Sequence, residues 1–570
     1  MARLARSLAS LKPRYEVVVV GSGYGGGVAA SRLARAGKRV AVLERGREFL
    51  TGEFPSRFPD LRGQMQLTGK RLRMGSPTGL YDVRFGEDMH VLIGCGLGGG
   101  SLINAGVALR PDDRVFRDPV WPDAVARDGW LDEGYARAAR WLRPALDPMA
   151  SEHPKYLALQ RASAALTQAP VRAPSVVSFA ATVNPAGVAQ PACSRCGDCC
   201  GGCNLGAKNT VALTYLPDAV RHGAEIFTHA KASHLARAPG GGWRVYVDRQ
   251  DGAAGDAGPG PASVAADVVV LAAGTLGSTE ILLRSRERGL PLSDRLGRGF
   301  SANGDIIAFG YGAKLAVNAI GVGHPAKVEG LSVGACVTGQ IEIVDEHDLA
   351  NSLTIQEGVL PSALAPLLPA LFIPNGRLLG ALKSLIAGVY KGPFQSLQTF
   401  FAVSHDSASG RLVLEDDRLL LAWPGVRDEP VYVRLDAALE ALVGEAGGSY
   451  VKNPLAGTMM GQQPATAHPL GGCGMGRERA DGVVDHKCRV FAANPGAGAA
   501  DVHEGLYVID GAVMPRSLGV NPLLTITALA ERAMLHQAAD LGLSFDAGAR
   551  HYEAAIAATA PGLESIEAGH

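Results

Sequence analysis

Residues 15 to 44 constrain the fold more than any other stretch of the chain. Tyr15 to Val20 is a compact, β-branched apolar run, the form of a buried strand. It ends in Gly21-Ser22-Gly23-Tyr24-Gly25-Gly26-Gly27, after which Val28 to Ala36 places apolar side chains at helical spacing. Past Gly37 a second run, Arg39 to Leu43, ends in Glu44. Strand, glycine turn, helix, strand and acid together predict a βαβ unit. Gly21, Gly23 and Gly26 have the G-x-G-x-x-G spacing that lets backbone approach a pyrophosphate at the positive end of a helix. Glu44 stands near the ~20-residue offset expected of the acid that holds a ribose hydroxyl. The unit predicts a bound dinucleotide and does not by itself separate NAD from FAD.

Glycine is also the compositional anomaly: 73 of 570 residues, about 13% against a usual ~7%. No Gly-X-Y period runs through them, and 47% apolar residues argues against disorder. A prior of ~150 residues per domain predicts two to four compact units. Basic and acidic residues number 55 each, with no basic block, so nothing in the overall field draws in a nucleic acid. The start, MARLARSLASLKPRYEVVVV, lacks the ~7–15-residue apolar core of a signal peptide and reads as a short leader of a cytoplasmic protein. The best apolar stretch, Gly358 to Ile373, is shorter than the ~20 residues of a membrane span and is broken by Pro361, Pro366 and Pro369. That excludes a span and leaves peripheral contact with lipid open.

Glycine turns recur along the chain. Val91 to Asn104 reads VLIGCGLGGGSLIN, the densest glycine segment. Asp267 to Leu271 runs into Ala272-Ala-Gly-Thr-Leu-Gly, a second strand-to-helix turn, and Gly505 to Gly511 ends a further strand-like run before a helical Ile526 to Leu535. A long helix is expected from about Pro122 to Leu146, and the QDGAAGDAGPGP stretch reads as a flexible linker. Between about Ala308 and Gly448 the glycine turns are absent, which predicts a different structural layer. A nicotinamide site needs no second glycine platform, whereas a flavin needs backbone along its ring system, so the pattern favours FAD.

Five segments, YEVVVVGSGYGGGVAASRLARAGKRVAVLERG, GCGLGGGSLIN, VVVLAAGTLGSTEIL, AHPLGGCGMG and GLYVIDGAVMPRSLGVNPLLTITALAERA, occur in the order found in glucose–methanol–choline oxidoreductases. The chain resembles that FAD-binding family, most closely its sterol-oxidising, cholesterol-oxidase branch. The resemblance implies an α/β fold: a discontinuous Rossmann-like FAD-binding domain (14–120, 205–310 and 460–545), and an α+β substrate domain with a mainly antiparallel sheet (121–204 and 311–459). A tail, 546–570, follows. It also implies that Gly21, Gly23, Gly26 and Glu44 hold the ADP half of FAD, that Gly98, Gly99, Gly100, Ser101 and Asn104 lie along the flavin, and that Asp510 and Gly511 touch the ribityl chain or pyrophosphate.

Oxidation of an alcohol by flavin needs a base for the hydroxyl proton, and histidine, with an ordinary pKa of ~6.5, suits that role. His468 in AHPLGGC matches the family's active-site histidine, as base or as a hydrogen-bonding orienter. Its partner in the sterol branch is an asparagine, here Asn521. Asparagine cannot act as a base and would position hydroxyl or flavin; it also reads as a cap for the helix after Pro522. Glu357 resembles the glutamate that moves a proton during sterol double-bond isomerisation, against the plain alternative of a solvated surface carboxylate. The apolar segment beyond it suits a cover over a greasy cavity, a lipid contact, or a core helix broken by prolines.

Cys193, Cys196, Cys199 and Cys203 have ferredoxin-like spacing, except that Asn204 stands where ferredoxins have proline. The residues admit an iron–sulfur cluster, a zinc site, or unligated thiols and disulfides. The expected activity is oxidation of a secondary hydroxyl on a bulky apolar alcohol such as a sterol, with electrons passing to oxygen or another acceptor. The alternatives are a cluster-bearing dehydrogenase that feeds a protein or quinone, and a non-redox, lyase-like flavoprotein of the same fold.

Overall fold

A computed structural model of the chain describes residues 2–250, 262–368, 388–391, 393–452, 463–493 and 501–545. The expected first strand, Arg14–Val20, lies inside a nine-stranded sheet. On one side it pairs in parallel with Val40–Leu43, which pairs with Glu225–Phe227 and then with Ala5–Arg6. On the other it pairs in parallel with Ser263–Leu271, whose last residues pair in parallel with Val502–Val508. Because these strands run the same way, the turns after Val20, Leu43, Leu271 and Val508 open at one edge. That edge is where open α/β sheets bind ligands. The other end of Ser263–Leu271 pairs antiparallel with Trp243–Arg249, which forms a hairpin with Ala230–Arg237.

The helix Tyr24–Arg35 follows the first glycine turn, and the final helix, Leu523–Leu541, packs beside it. A buried ion pair joins them, with Arg32 Nε 2.9 Å from Glu531, and Tyr215 donates to the same carboxylate at 3.0 Å. The core fills both faces of the parallel sheet with residues such as Val18, Val42, Val28, Ile226, Val270 and Leu506.

A six-stranded sheet, antiparallel throughout, forms the second layer expected between 308 and 448. Its order is Ser449–Lys452, Ile306–Tyr311, Gln398–Ser404, Leu353–Gly358, Gly339–Ile343 and Val171–Arg172. The helix Pro430–Glu445 packs on it through Leu435, Leu439 and Leu442, against Ile341, Ile355 and Phe400.

Two expectations need correction. The amino-terminal segment is not a loose leader, because Ala5–Arg6 adds a strand to the sheet edge and Leu8 and Leu11 are buried in the core. The long helix expected from 122 to 146 is two helices, Asp123–Arg127 and Trp130–Leu142, because Gly129 between them adopts φ +73°. Among the described residues no helix is long and apolar enough to cross a membrane. The apolar segment buries Val359, Ala363, Ala365 and Leu368; residues 369–387 lie outside the described residues, as does most of the expected linker.

Candidate active site

The nucleotide side of the site is made of backbone. Gly21 adopts φ +93°, and a Cβ there would stand 2.2 Å from the Ala272 carbonyl oxygen. The second glycine segment leaves the strand His90–Gly94 and folds onto the first: a Cβ on Gly99 would lie 2.9 Å from Gly23 Cα. The Gly98 amide donates to Ser22 Oγ at 3.0 Å. In contrast, a Cβ on Gly23 or Gly100 would meet nothing within 4 Å. The glycines pressed against protein and the glycines facing open space thus form a cradle at the ligand-binding edge of the sheet. Gly26 packs against the Gly21 carbonyl, the close helix-to-strand contact that the fingerprint predicts.

Glu44 is buried beside this cradle and accepts hydrogen bonds from Ser22 Oγ and the Gly46 amide. Burial outweighs these bonds and raises its carboxyl pKa. Asn104 Nδ2 donates to the Tyr24 hydroxyl at 2.7 Å, while its Oδ1 is buried without a partner among the described residues. A buried acceptor without a donor costs about 1–3 kcal/mol, and a ring N–H of a bound flavin would satisfy it. Open backbone, the buried acid and this orphan acceptor fit FAD.

Two predicted contacts serve the protein itself. Ser101 Oγ donates to the Gly98 carbonyl at 2.6 Å and accepts from the Val211 amide at 3.0 Å, so it braces the glycine turn. Asp510 accepts from the Gly274 amide at 2.8 Å, from Ser278 Oγ and from the Ala512 amide at 2.9 Å. It binds the start of the helix Gly274–Glu287 to the Gly511 turn, and Gly511 in turn accepts from the Gly471 amide at 2.9 Å.

The reaction side is made of side chains. His468 follows the short strand Ala465–Thr466, and its Nδ1 lies 3.3 Å from Asp305 Oδ2, off the line of a good hydrogen bond. Asp305 is 2% exposed and also accepts from Thr466 Oγ1 at 3.1 Å and the Ala467 amide at 2.8 Å. Asn521 is buried, and its Oδ1 accepts from Gln356 Nε2 at 2.6 Å. The loop before Asn521 is tied to Asn303: Oδ1 accepts from the Leu518 and Gly519 amides at 2.8 and 3.1 Å, and Nδ2 donates to the Val520 carbonyl at 2.9 Å. The turn Ser301–Asp305 therefore places Asp305 beside His468 and binds the loop that leads into Asn521.

Asp406 holds that turn from behind, accepting from Ser301 Oγ at 2.7 Å and from the Ala302 and Gly304 amides at 2.8 and 3.0 Å. Burial pushes its carboxyl up to about 6. Asp305, Asn303, Asp406 and Gln356 escaped the sequence reading, since no local motif marks them. The Asn303-Gly304 turn signal was the one visible trace.

Glu357 is not a surface carboxylate. It is fully buried; Oε1 accepts from the Thr338 amide, Thr338 Oγ1 and the Gly339 amide, and Oε2 lies 2.7 Å from Lys155 Nζ. Lys155 completes its own bonding with the Ala335 and Cys336 carbonyls. Four hydrogen bonds thus tie the carboxylate to the surrounding structure, three on Oε1 and one on Oε2.

The cysteine segment lies against the second glycine segment. Lys208 Nζ, buried without a carboxylate partner among the described residues, donates to the Leu102, Asn104 and Cys199 carbonyls at 3.3, 2.6 and 3.1 Å. It ties the glycine segment to the cysteine segment. All the cysteines of the described residues are free thiols, with Cys200 Sγ 3.5 Å from Cys336 Sγ. No three of the four predicted ligands bring their sulfurs within 4.8 Å of one another, so they do not form the compact cage that zinc requires. The one such group among the described residues is Asp128, His486 and His536. There the Arg532 guanidinium already pairs with Asp128 and faces His486 Nδ1 at 3.3 Å, supplying the positive charge an ion would bring.

A parallel sheet with a glycine cradle at its ligand edge, beside a part-exposed histidine facing a buried carboxylate, defines a dinucleotide-dependent oxidoreductase. Residues 16–301 and 431–530 match the GMC oxidoreductase family, and the chain belongs to that family: it is an FAD-dependent oxidoreductase acting on CH–OH groups. It is 29% identical to a cholesterol oxidase of Mycobacterium tuberculosis over 567 residues, covering 92% of this chain and 91% of that protein. A cholesterol oxidase of Acinetobacter baumannii is 27% identical, covering 91% and 94%. A long-chain-alcohol oxidase of Arabidopsis thaliana is 26% identical, covering 91% of this chain and 66% of that protein. Among solved structures, pyridoxine 4-oxidase from Mesorbium loti superposes with TM-score 0.57 at 18% identity, covering 92% and 99%. A fungal aryl-alcohol oxidase gives 0.56 at 15%, covering 92% and 98%. These two share the fold.

Proposed function

We propose that the enzyme oxidises the secondary hydroxyl of a bulky apolar alcohol, of the sterol class, to a ketone, and that oxygen takes up the electrons. The observation that carries this reading is His468 backed by buried Asp305, with Asn521 tied into the same turn. The cholesterol-oxidase and long-chain-alcohol-oxidase relatives support an apolar alcohol and an oxygen acceptor. In this reading residues 14–120, 205–310 and 460–545 bind FAD, while 121–204 and 311–459 bind the substrate. When bound, FAD supplies the two-electron acceptor for the hydride that leaves the carbinol carbon.

The chain's own residues do the rest. His468 Nε2 takes the hydroxyl proton as the C–H bond breaks, and Asn521, its Oδ1 held by Gln356, presents Nδ2 to the substrate oxygen. Gly23, Gly100 and Asn104 would hold FAD, the glycines through open backbone and Asn104 through its unpartnered amide oxygen. The test is anaerobic mixing of FAD-loaded protein with cholesterol and with a long-chain alcohol. Sterol-driven bleaching, with ketone and peroxide formed in air, is expected, and His468→Gln should lower the bleaching rate by about 10²- to 10⁴-fold. A flavin left oxidised by every alcohol would overturn the reading.

A further inference from the structure

The turn Ser301–Asp305 has a role that the sequence motifs do not assign. It leaves the strand Arg298–Phe300 and enters Ile306–Tyr311, the strand that pairs with Gln398–Ser404 in the antiparallel sheet. Its backbone joins the histidine segment through reciprocal Ser301 and Leu470 bonds of 3.0 and 2.9 Å, and Thr466 Oγ1 donates to the Ala302 carbonyl at 3.0 Å. Asn303 adopts φ +59°, which turns its side chain to three backbone groups of the loop 518–520. Two residues on, Asp305 faces His468. Tyr432 lies close enough to Asp305, Asp406 and Glu429 for their charges to act on it.

A neutral imidazole can act as a base only at the nitrogen that lacks a proton. Which nitrogen that is follows from the partner of the other. Asp305 already accepts from Thr466 Oγ1 and the Ala467 amide, so its position is fixed independently of the ring. Its Oδ2 lies 3.3 Å from Nδ1 without a formed hydrogen bond among the described residues, and the carboxylate's charge at that distance favours the proton on Nδ1 and leaves Nε2 as the acceptor.

We propose that Asp305 is a positioning residue of the reaction, holding His468 by Nδ1 so that Nε2 meets the substrate hydroxyl, and that Asn303 on the same turn fixes Asn521. The proposal rests on the alcohol-oxidising reading of this site. In the step concerned the substrate O–H proton passes to Nε2, the C–H hydride passes to bound FAD, and the carbonyl forms. Asp305 neither gains nor loses a proton.

Asp305→Asn keeps the shape and removes the charge. Flavin reduction should slow about 10²- to 10⁴-fold, the range expected when a base loses its tautomer, with FAD content and KM unchanged. Imidazole ¹⁵N spectra of the FAD-loaded parent should give His468 as the Nδ1-protonated form, and Asp305→Asn should shift it toward the other tautomer. That measurement on the parent needs no variant, so a misfolded Asp305→Asn leaves the test standing: a neutral His468 protonated at Nε2 overturns the proposal. So does an Asp305→Asn enzyme that reduces its flavin at the parental rate. Asn303→Gly, which tolerates the positive φ, should slow reduction about tenfold with the His468 spectrum unchanged; an unchanged rate removes the Asn521 half. If His468→Gln keeps full activity, the base reading itself fails. If it collapses while Asp305→Asn does not, the positioning role alone fails.

Discussion

In the parallel sheet the surface offered to the ligand is backbone: Gly23 and Gly100 face open space, and Gly21 and Gly99 are pressed so tightly that a single carbon would collide. Around the antiparallel sheet the surface is side chains, and each answers to a buried polar group: His468 faces Asp305, Asn521 accepts from Gln356, and Glu357 is paired with Lys155. A backbone site tolerates no added atoms and depends on few partners. A side-chain site tolerates shape changes and depends on networks, because a buried charge or amide that loses its partner costs more than the pair contributes. The two halves should therefore fail in different ways when altered.

The largest expected effect is on the backbone half. Gly21→Val puts a β-branched residue at φ +93° and a Cβ 2.2 Å from the Ala272 carbonyl oxygen, so the turn must move. The purified variant should carry essentially no flavin absorbance while the antiparallel half stays folded. A variant that holds one FAD per chain would break the distinction drawn here.

Next comes a network. Lys155→Met leaves the fully buried Glu357 without its cation and should cost about 3–5 kcal/mol, measured by denaturant unfolding. Adding Glu357→Leu should recover most of that loss, since replacing both ions avoids the uncompensated charge. Glu357→Gln should lower stability and leave the rate of alcohol oxidation per flavin within about threefold of the parent. Loss of a double-bond migration step with stability unchanged would instead return Glu357 to the chemistry.

The same contrast explains what could be read before the structure. The glycine cradle was legible because backbone chemistry is written locally: Gly21 to Gly27 and Gly94 to Gly100 are short continuous segments, and the strands before Gly21 and Gly274 are β-branched runs. His468 and Asn521 were legible through resemblance. What holds them was not, because Asp305 and His468 are far apart in sequence and meet only when a turn after one strand lies against another. Glu357 shows what local sequence leaves open: an acid beside an apolar segment admitted a solvated surface carboxylate, and the strand Leu353–Gly358 instead buries it against Lys155. The long helix failed at Gly129, where apolar spacing continues across a left-handed residue that no periodicity reveals.

The smallest effect concerns the cysteine segment, which the structure ties down through a carboxylate. Asp147 is 1% exposed, lies 3.0 Å from His153 Nε2, and takes two bonds of 3.0 Å from Arg195, between Cys193 and Cys196. Burial alone would raise its pKa; the bonds from His153 and Arg195 outweigh burial and pull it down to about 2. A carboxyl depressed below its ordinary ~3.9 stabilises the fold above that pH and loses the contribution as pH falls toward 2, which amounts to about 2 kcal/mol. Asp147→Asn should therefore cost about that much at neutral pH and lose less stability than the parent between pH 4 and 2, as followed by acid unfolding. If the two proteins keep a constant difference through that window, the carboxylate is not what holds the segment. The backbone bonds of Arg195, whose carbonyl accepts from the Val333 and Gly334 amides, would then suffice.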